Sequence, residues 1–313
     1  MSETFATPGP FRESRSAIHF ALGLVAVLFS ANYILGKIAL VHFDPLAFAW
    51  LRVSGSFLCL IVVYARHATP RIPFSTRERR LLVVYSLLGI VLNQILFISG
   101  LARTTAHHAA ILIVTIPVFT LLIALLLRRE PGSIARLAGI LLAAAGAASI
   151  TLRSAGGSGP ASLTGDLMIL ANSLCYAAYL VLSKPLMARH SSIRVMTLLF
   201  GVGSLLMIPF SARAILNQDW SGITGGAWLA LLFVILGPTV AAYLLNGWAL
   251  ARADSSLVAA YVYLQPLLAS LMAAAFLHER MEKGTAAGAA LIFAGVWLVS
   301  RRGGKSALFR RNG

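Results

Sequence analysis

The sequence predicts an all-α integral membrane protein whose ten transmembrane helices form two inverted five-helix repeats. Three observations predict it. Of 313 residues, 58% are hydrophobic and only 12% charged, with a mean hydropathy of +0.83, whereas a soluble domain carries about 25% charged residues. Apolar stretches of the length a bilayer requires recur along the whole chain. Finally, residues 101–146 slide forward by 149 positions onto residues 250–295 without a gap. Leu101-Ala102-Arg103 then meets Leu250-Ala251-Arg252, Pro117 meets Pro266, Glu130 meets Glu279, Gly139 meets Gly288 and Gly146 meets Gly295. Matching Leu and Ala are expected by chance in apolar sequence, but a shared Pro, Glu, Gly and Gly in one register is not. Tandem membrane repeats of this kind characterise transporters.

Residues 1–17 are polar, carry Arg12 and Arg15, and are expected to form a cytoplasmic tail. The first apolar segment, 18–41, exceeds a signal-peptide core of about 7–15 residues and has a counterpart in the second half, so it is assigned as a membrane helix. Segments 45–65, 81–99, 106–127 and 134–152 complete a first repeat over 18–152. The Gly/Ser/Pro-rich stretch 153–164 (RSAGGSGPASLT) is the expected linker. Segments 165–187, 195–212, 227–248, 255–277 and 284–300 form a second repeat over 165–300, and 301–313 is a basic tail.

The formal charge of +16 would suggest nucleic acid in a soluble protein. Here the bases fall in short loops, where they set orientation instead, and no nucleic-acid partner is expected. With the N-terminus inside, 19 Lys and Arg fall on the cytoplasmic side, against five (Arg103, Arg153, Arg213, Arg280, Lys283) outside. Both termini are therefore expected in the cytoplasm, and a bacterial inner membrane is the expected location. Because five helices is an odd number, the second repeat enters the bilayer upside down. A site between the halves, near the midplane, is expected. Cys59 and Cys175 lie inside apolar segments, with no disulfide or metal pattern around them.

The chain resembles the drug/metabolite transporter superfamily, specifically the ten-helix EamA-type exporters. The resemblance rests on the two five-helix halves, Leu101-Ala102-Arg103 before the fourth helix, Pro117 and Pro266, the glutamate after each of those helices, and Arg52 in AWLRVSGSF. It covers about residues 18–300. It implies a transporter of amino acids, metabolites or toxic compounds, with helices one to four and six to nine around the cavity. The Gly-Glu turn common in that family reads Arg129-Glu130 and His278-Glu279 here.

Polar residues are costly inside a bilayer and point to function. Comparing the halves places Phe29 and Asn32 opposite Tyr176 and Tyr179, and Gln94 and Phe97 opposite Tyr243 and Asn246. A spacing of three puts each pair on one helix face, as a cavity for a small organic solute would require; interhelical hydrogen bonding is the structural alternative. Tyr261 and Gln265, four apart on one face, add a fifth pair just before Pro266. Pro117 and Pro266 should deprive the carbonyls of Ile113 and Val262 of their helical partners, making both prolines candidate hinges or fixed kinks. Arg52 lies too deep to be a loop charge. Two readings stand for it: a partner for a substrate carboxylate or phosphate, or a residue that caps carbonyls or snorkels. Lys37 and Lys184 are expected to snorkel. Glu130 and Glu279 are expected to tie their hairpins, and the four glycines to let helices five and ten pack closely.

All ten acidic residues fall in tails, loops or helix ends, so proton coupling has no support beyond His107 and His108. An exporter of small organic metabolites working by alternating access is expected, without cofactor or metal. An intramembrane enzyme would need a nucleophile, metal or acid–base cluster, and His42-Phe43-Asp44 is the one His/Asp pair, in a turn. A sensor or scaffold would need an appended domain to pass on a signal.

Overall fold

The computed structural model describes residues 15–66, 72–127, 134–155, 162–253, 258–259, 261–277 and 283–300. Among them all regular structure is helical. The first half comprises α1 (Arg15–Ala39), α2 (Pro45–Arg66), α3 (Thr76–Arg103), α4 (Ala106–Leu126) and α5 (Ile134–Ala155). The second comprises α6 (Leu163–Arg189), α7 (Ser192–Asn217), α8 (Gly225–Arg252), α9 (261–277) and α10 (Lys283–Ser300). Seven of these, α1 to α4 and α6 to α8, are long and apolar enough to cross a membrane, and shorter apolar stretches lie in α5, α9 and α10. Large apolar side chains cover the outside, among them Phe20, Leu58, Leu126, Leu205, Leu229 and Phe276. In water so continuous an apolar surface would aggregate; in lipid it is the contact layer.

Helix starts follow from local chemistry. Ser75 and Glu78 form a reciprocal capping box at α3, and Thr105, Ser162 and Thr224 cap α4, α6 and α8 through their hydroxyls. Each satisfies N–H groups that the first turn leaves without carbonyls. Asp44, read above as part of a His/Asp pair, accepts from the N–H of Leu46 at 2.8 Å and thereby starts α2.

The repeat is visible in backbone irregularities as well. Ser75 and Thr224, both caps, are one period apart. So are the π-helical stretches of α3 (Leu87–Leu92) and α8 (Ile235–Ala241), to within a residue. Short 3-10 turns occupy matching places in α4 (Ile113–Thr115) and α9 (Tyr261–Tyr263). Packing repeats the pattern: α6 lies against α3 and α4, as α1 lies against α8 and α9, while α2 packs on α7 and α5 on α10. A Cβ on Gly146 would come within 2.7 Å of the Gly288 carbonyl, and one on Gly295 within 2.5 Å of the Gly139 carbonyl. These contacts are the same contact seen from each half. Helices α5 and α10 thus press backbone to backbone, beside the bundle formed by the other eight.

One sequence expectation changes in detail. Pro117 does not strand the Ile113 carbonyl: the chain tightens into the 3-10 turn, the N–H of Ile116 donates to that oxygen, and Pro117 sits in the first turn of the α-segment that follows. Thr115 Oγ1 donates to the Leu112 carbonyl at 2.7 Å. Pro266 likewise follows the 3-10 turn of α9. Glu130 and Glu279 lie outside the described residues.

Candidate functional site

A cavity of about 670 Å³, counted to its open mouth, lies between the two halves. Helices α1, α2, α3, α4, α6, α8 and α9 wall it, and no described residue of α5, α7 or α10 lines it. Of the residues singled out from the sequence, Asn32, Arg52, Gln94, Tyr176, Tyr243, Asn246, Tyr261 and Gln265 all border it, with Phe29 and Phe97. Tyr179 does not. Its ring packs where a side chain on Gly89 would stand, 2.5 Å from that hypothetical Cβ, and its hydroxyl points to Met196 Sδ at 3.8 Å.

Side-chain hydrogen bonds cross from half to half along the walls. Tyr243 OH donates to Asn93 Oδ1 at 2.9 Å and accepts from Gln94 Nε2 at 3.2 Å. Asn172 Nδ2 donates to the Asn93 carbonyl at 2.8 Å, and Tyr33 OH donates to Gln265 Oε1 at 3.0 Å. Within the second half, Asn246 Nδ2 donates to Tyr176 OH at 2.5 Å. Aromatic edges meet faces around this network: Phe29 against Tyr243, Tyr33 against Phe97 and Phe200 against Tyr243. Three amide oxygens on the wall, Asn32 Oδ1, Gln94 Oε1 and Asn172 Oδ1, are buried without a donor.

Asn93, Asn172 and Tyr33 were missed in the sequence. Asn172 stands four residues before Tyr176, on the same face of α6, so helical spacing alone would have found it. Asn93 and Tyr33 each adjoin a chosen residue, and their repeat equivalents are not polar partners, so comparing halves could not flag them.

Arg52 is resolved between its readings to this extent: it is 2% exposed, so it does not snorkel. Its Nε donates to Thr239 Oγ1 at 2.6 Å, in the π-helical stretch of α8. Capping of carbonyls by the guanidinium is not what the geometry shows.

Each end of α6 is fastened to the first half by a carboxylate and an imidazole. At its start, buried Asp166 accepts from Thr104 Oγ1 at 2.5 Å and lies 3.1 Å from His108 Nδ1. At its end, His190 Nε2 lies 3.1 Å from Glu78 Oε1, with Arg189 Nη1 at 3.3 Å from the same oxygen and Phe74 against the imidazole ring. Asp166 falls at a helix end, as the sequence indicates, but it is buried and paired. Composition cannot show that.

The apolar exterior, the inverted halves and the cavity on their common axis define a multi-pass membrane protein with a polar cavity inside it. The sequence profile of the EamA-like transporter family matches the chain twice, over residues 16–152 and 163–301. The chain belongs to that family and is a membrane transporter by descent. It is 29% identical to an uncharacterized transporter of Archaeoglobus fulgidus, covering 92% of this chain and 98% of that one. It is 27% identical to a probable terminal-alkyne amino-acid exporter of Streptantibioticus cattleyicolor, covering 72% and 74%. A solved crystal structure shares the fold with a TM-score of 0.65 at 21% identity, over 92% of this chain and 98% of that one.

Proposed function

We propose that the chain is a secondary carrier that exports a small organic solute by alternating access through the cavity between its halves. The observation that supports this most is the set of buried amides and phenols on the cavity wall, several with oxygens that no protein donor reaches. Such groups are costly in a membrane and persist where water or a ligand satisfies them. The rings of Phe29, Tyr176, Tyr243 and Tyr261 suit an apolar or aromatic body, and the amides suit an amino-acid-like polar end. The name of the Streptantibioticus cattleyicolor relative, an amino-acid exporter, is in line with this. In this reading all ten helices cross a bacterial inner membrane with both termini in the cytoplasm, and the turns before Pro117 and Pro266 are the bending points.

Counterflow in proteoliposomes with a panel of amino acids, aromatic acids, amines, sugars and inorganic ions tests it. Amphiphilic solutes should be carried, and sugars and ions should not. Gln265→Ala and Tyr261→Ala should each slow uptake roughly tenfold, the scale of one lost ligand contact, with normal membrane insertion. Wild-type rates in both variants would overturn the assignment of the site.

A further inference from the structure

We infer that Arg52 is the anchor for an anionic group on the transported solute, which makes the cavity selective for carboxylates and closed to organic cations. The inference rests on the cavity being the transport site. A guanidinium stays charged in any protein setting. Here it is 2% exposed and inside the bundle, its Nε is held by Thr239, and its Nη1 has no hydrogen-bond partner. Thr239 spends its own proton on the Val234 carbonyl at 2.6 Å, so its oxygen faces Arg52 as an acceptor. That bond orients the fork without neutralising it.

Nor does a carboxylate among the described residues neutralise it. Among the described residues, Asp44 caps α2, Glu78 lies on Ser75, Arg189 and His190, Asp166 lies on Thr104 and His108, and Asp219 accepts from Ser221. Among the described residues the cavity lining contains no Asp or Glu. The free amide oxygens of Asn32, Gln94 and Asn172 attract donors but carry no charge. A buried charge with no counter-charge is strongly unfavourable; none is supplied among the described residues, and an anionic group received by the cavity would supply one. A carboxylate matches the fork with two parallel bonds. Its neighbouring ammonium, hydroxyl or amide would meet the free amide oxygens. An organic cation would meet a like charge in a medium that screens poorly.

Three matched probes test this in proteoliposome counterflow: 3-phenylpropionate, phenylalanine and phenylalaninamide. The two acids should be carried or should compete, and the amide, which has lost the anion and kept the rest, should do so at least about tenfold more weakly. Arg52→Gln should remove that preference, Arg52→Lys should keep part of it, and Thr239→Val should weaken it while leaving the charge in place. Because the amide comparison is made on the wild-type protein, a poorly folding Arg52 variant does not blunt the test. Equal handling of acid and amide, or efficient Gln265-dependent carriage of any solute without an anionic group, overturns the role of Arg52 and leaves the carrier reading standing. So does loss of the preference on adding chloride alone, which would make a small inorganic ion the partner. If no solute of the wider panel moves at all, the carrier reading falls and this inference with it.

Discussion

Gln94 and Tyr243 are separated by 149 residues, the period of the repeat, and they touch: Gln94 Nε2 donates to Tyr243 OH at 3.2 Å. Residues at equivalent positions in two halves meet only where the axis relating the halves runs between them. The hydrogen bond therefore marks the pseudo-twofold axis, and the cavity lies on it. Two inverted halves that share a site at their axis can expose it to either side by exchanging their conformations.

This bond sits in a buried network, so its members should be coupled. Tyr243→Phe leaves Asn93 Oδ1 and Gln94 Nε2 without their partner, at a cost of about 1–3 kcal/mol. Gln94→Leu removes the donor instead. Each change should lower the thermal midpoint in detergent, and the double variant should fall less than the sum of the two. Strictly additive losses would show that the bond contributes no coupling.

The contact also shows what was legible beforehand. Sliding the sequence on itself located Gln94 and Tyr243 together, because inverted symmetry brings equivalent residues close to the axis. It located Gly146 and Gly295 by the same logic. The method fails wherever the halves have diverged: Asn172 corresponds to Val25 and Asn93 to Ala242, so the polar member has no polar mate to reveal it. The π-helical stretches were also hidden. One carries Pro238, but its counterpart holds Gly89, where the tight approach of the Tyr179 ring requires a residue without a side chain. Arg52 could be placed at depth from sequence, yet its burial and its bond to Thr239 depend on α2 meeting α8, a tertiary fact.

Helices α5 and α10 supply a sharper test of packing. Gly146→Leu and Gly295→Leu each put a side chain where backbone atoms of the other helix stand within 2.7 and 2.5 Å. Both should sharply reduce the yield of monodisperse protein, because rigid backbone cannot yield as a side chain would. Gly23→Ala on α1, where a Cβ meets nothing within 4 Å, is the matched control and should express normally. Normal yields from both leucine variants would mean that the two helices are not locked together.

Orientation is tested by reporters. Fusions at residues 70 and 308 should report cytoplasm, and one at 157 should report the outside, from the distribution of Lys and Arg. If 70 and 157 report the same side, the five-plus-five inversion is refuted.

Among the described residues the cavity lining holds neither a carboxylate nor a histidine, so a solute gradient should drive counterflow with no pH gradient imposed. A strict requirement for a proton gradient, with matching proton flux, would instead direct attention to His108 and Asp166 at the start of α6.

Under the proposed alternating access, those two residues, and Glu78 with His190 at the other end of α6, bear on how the halves would part. In alternating access one end of the bundle must open while the other stays shut, and each end of α6 is tied to the first half by one such pair. Asp166→Asn keeps the shape but removes the charge that His108 and Thr104 face. In a background with Cys59 and Cys175 replaced by Ala, a Phe97→Cys probe on the cavity wall reports access from the Asp166 end, since Phe97 lies near that end of α3. Asp166→Asn should speed its modification by a membrane-impermeant thiol reagent, by about three- to tenfold for a loss of roughly 0.7–1.4 kcal/mol in the closed state. Glu78→Gln weakens the opposite fastening and should leave that rate unchanged or lower it. Equal acceleration by both would indicate general loosening of α6, and no change from Asp166→Asn would reduce the pair to a helix anchor.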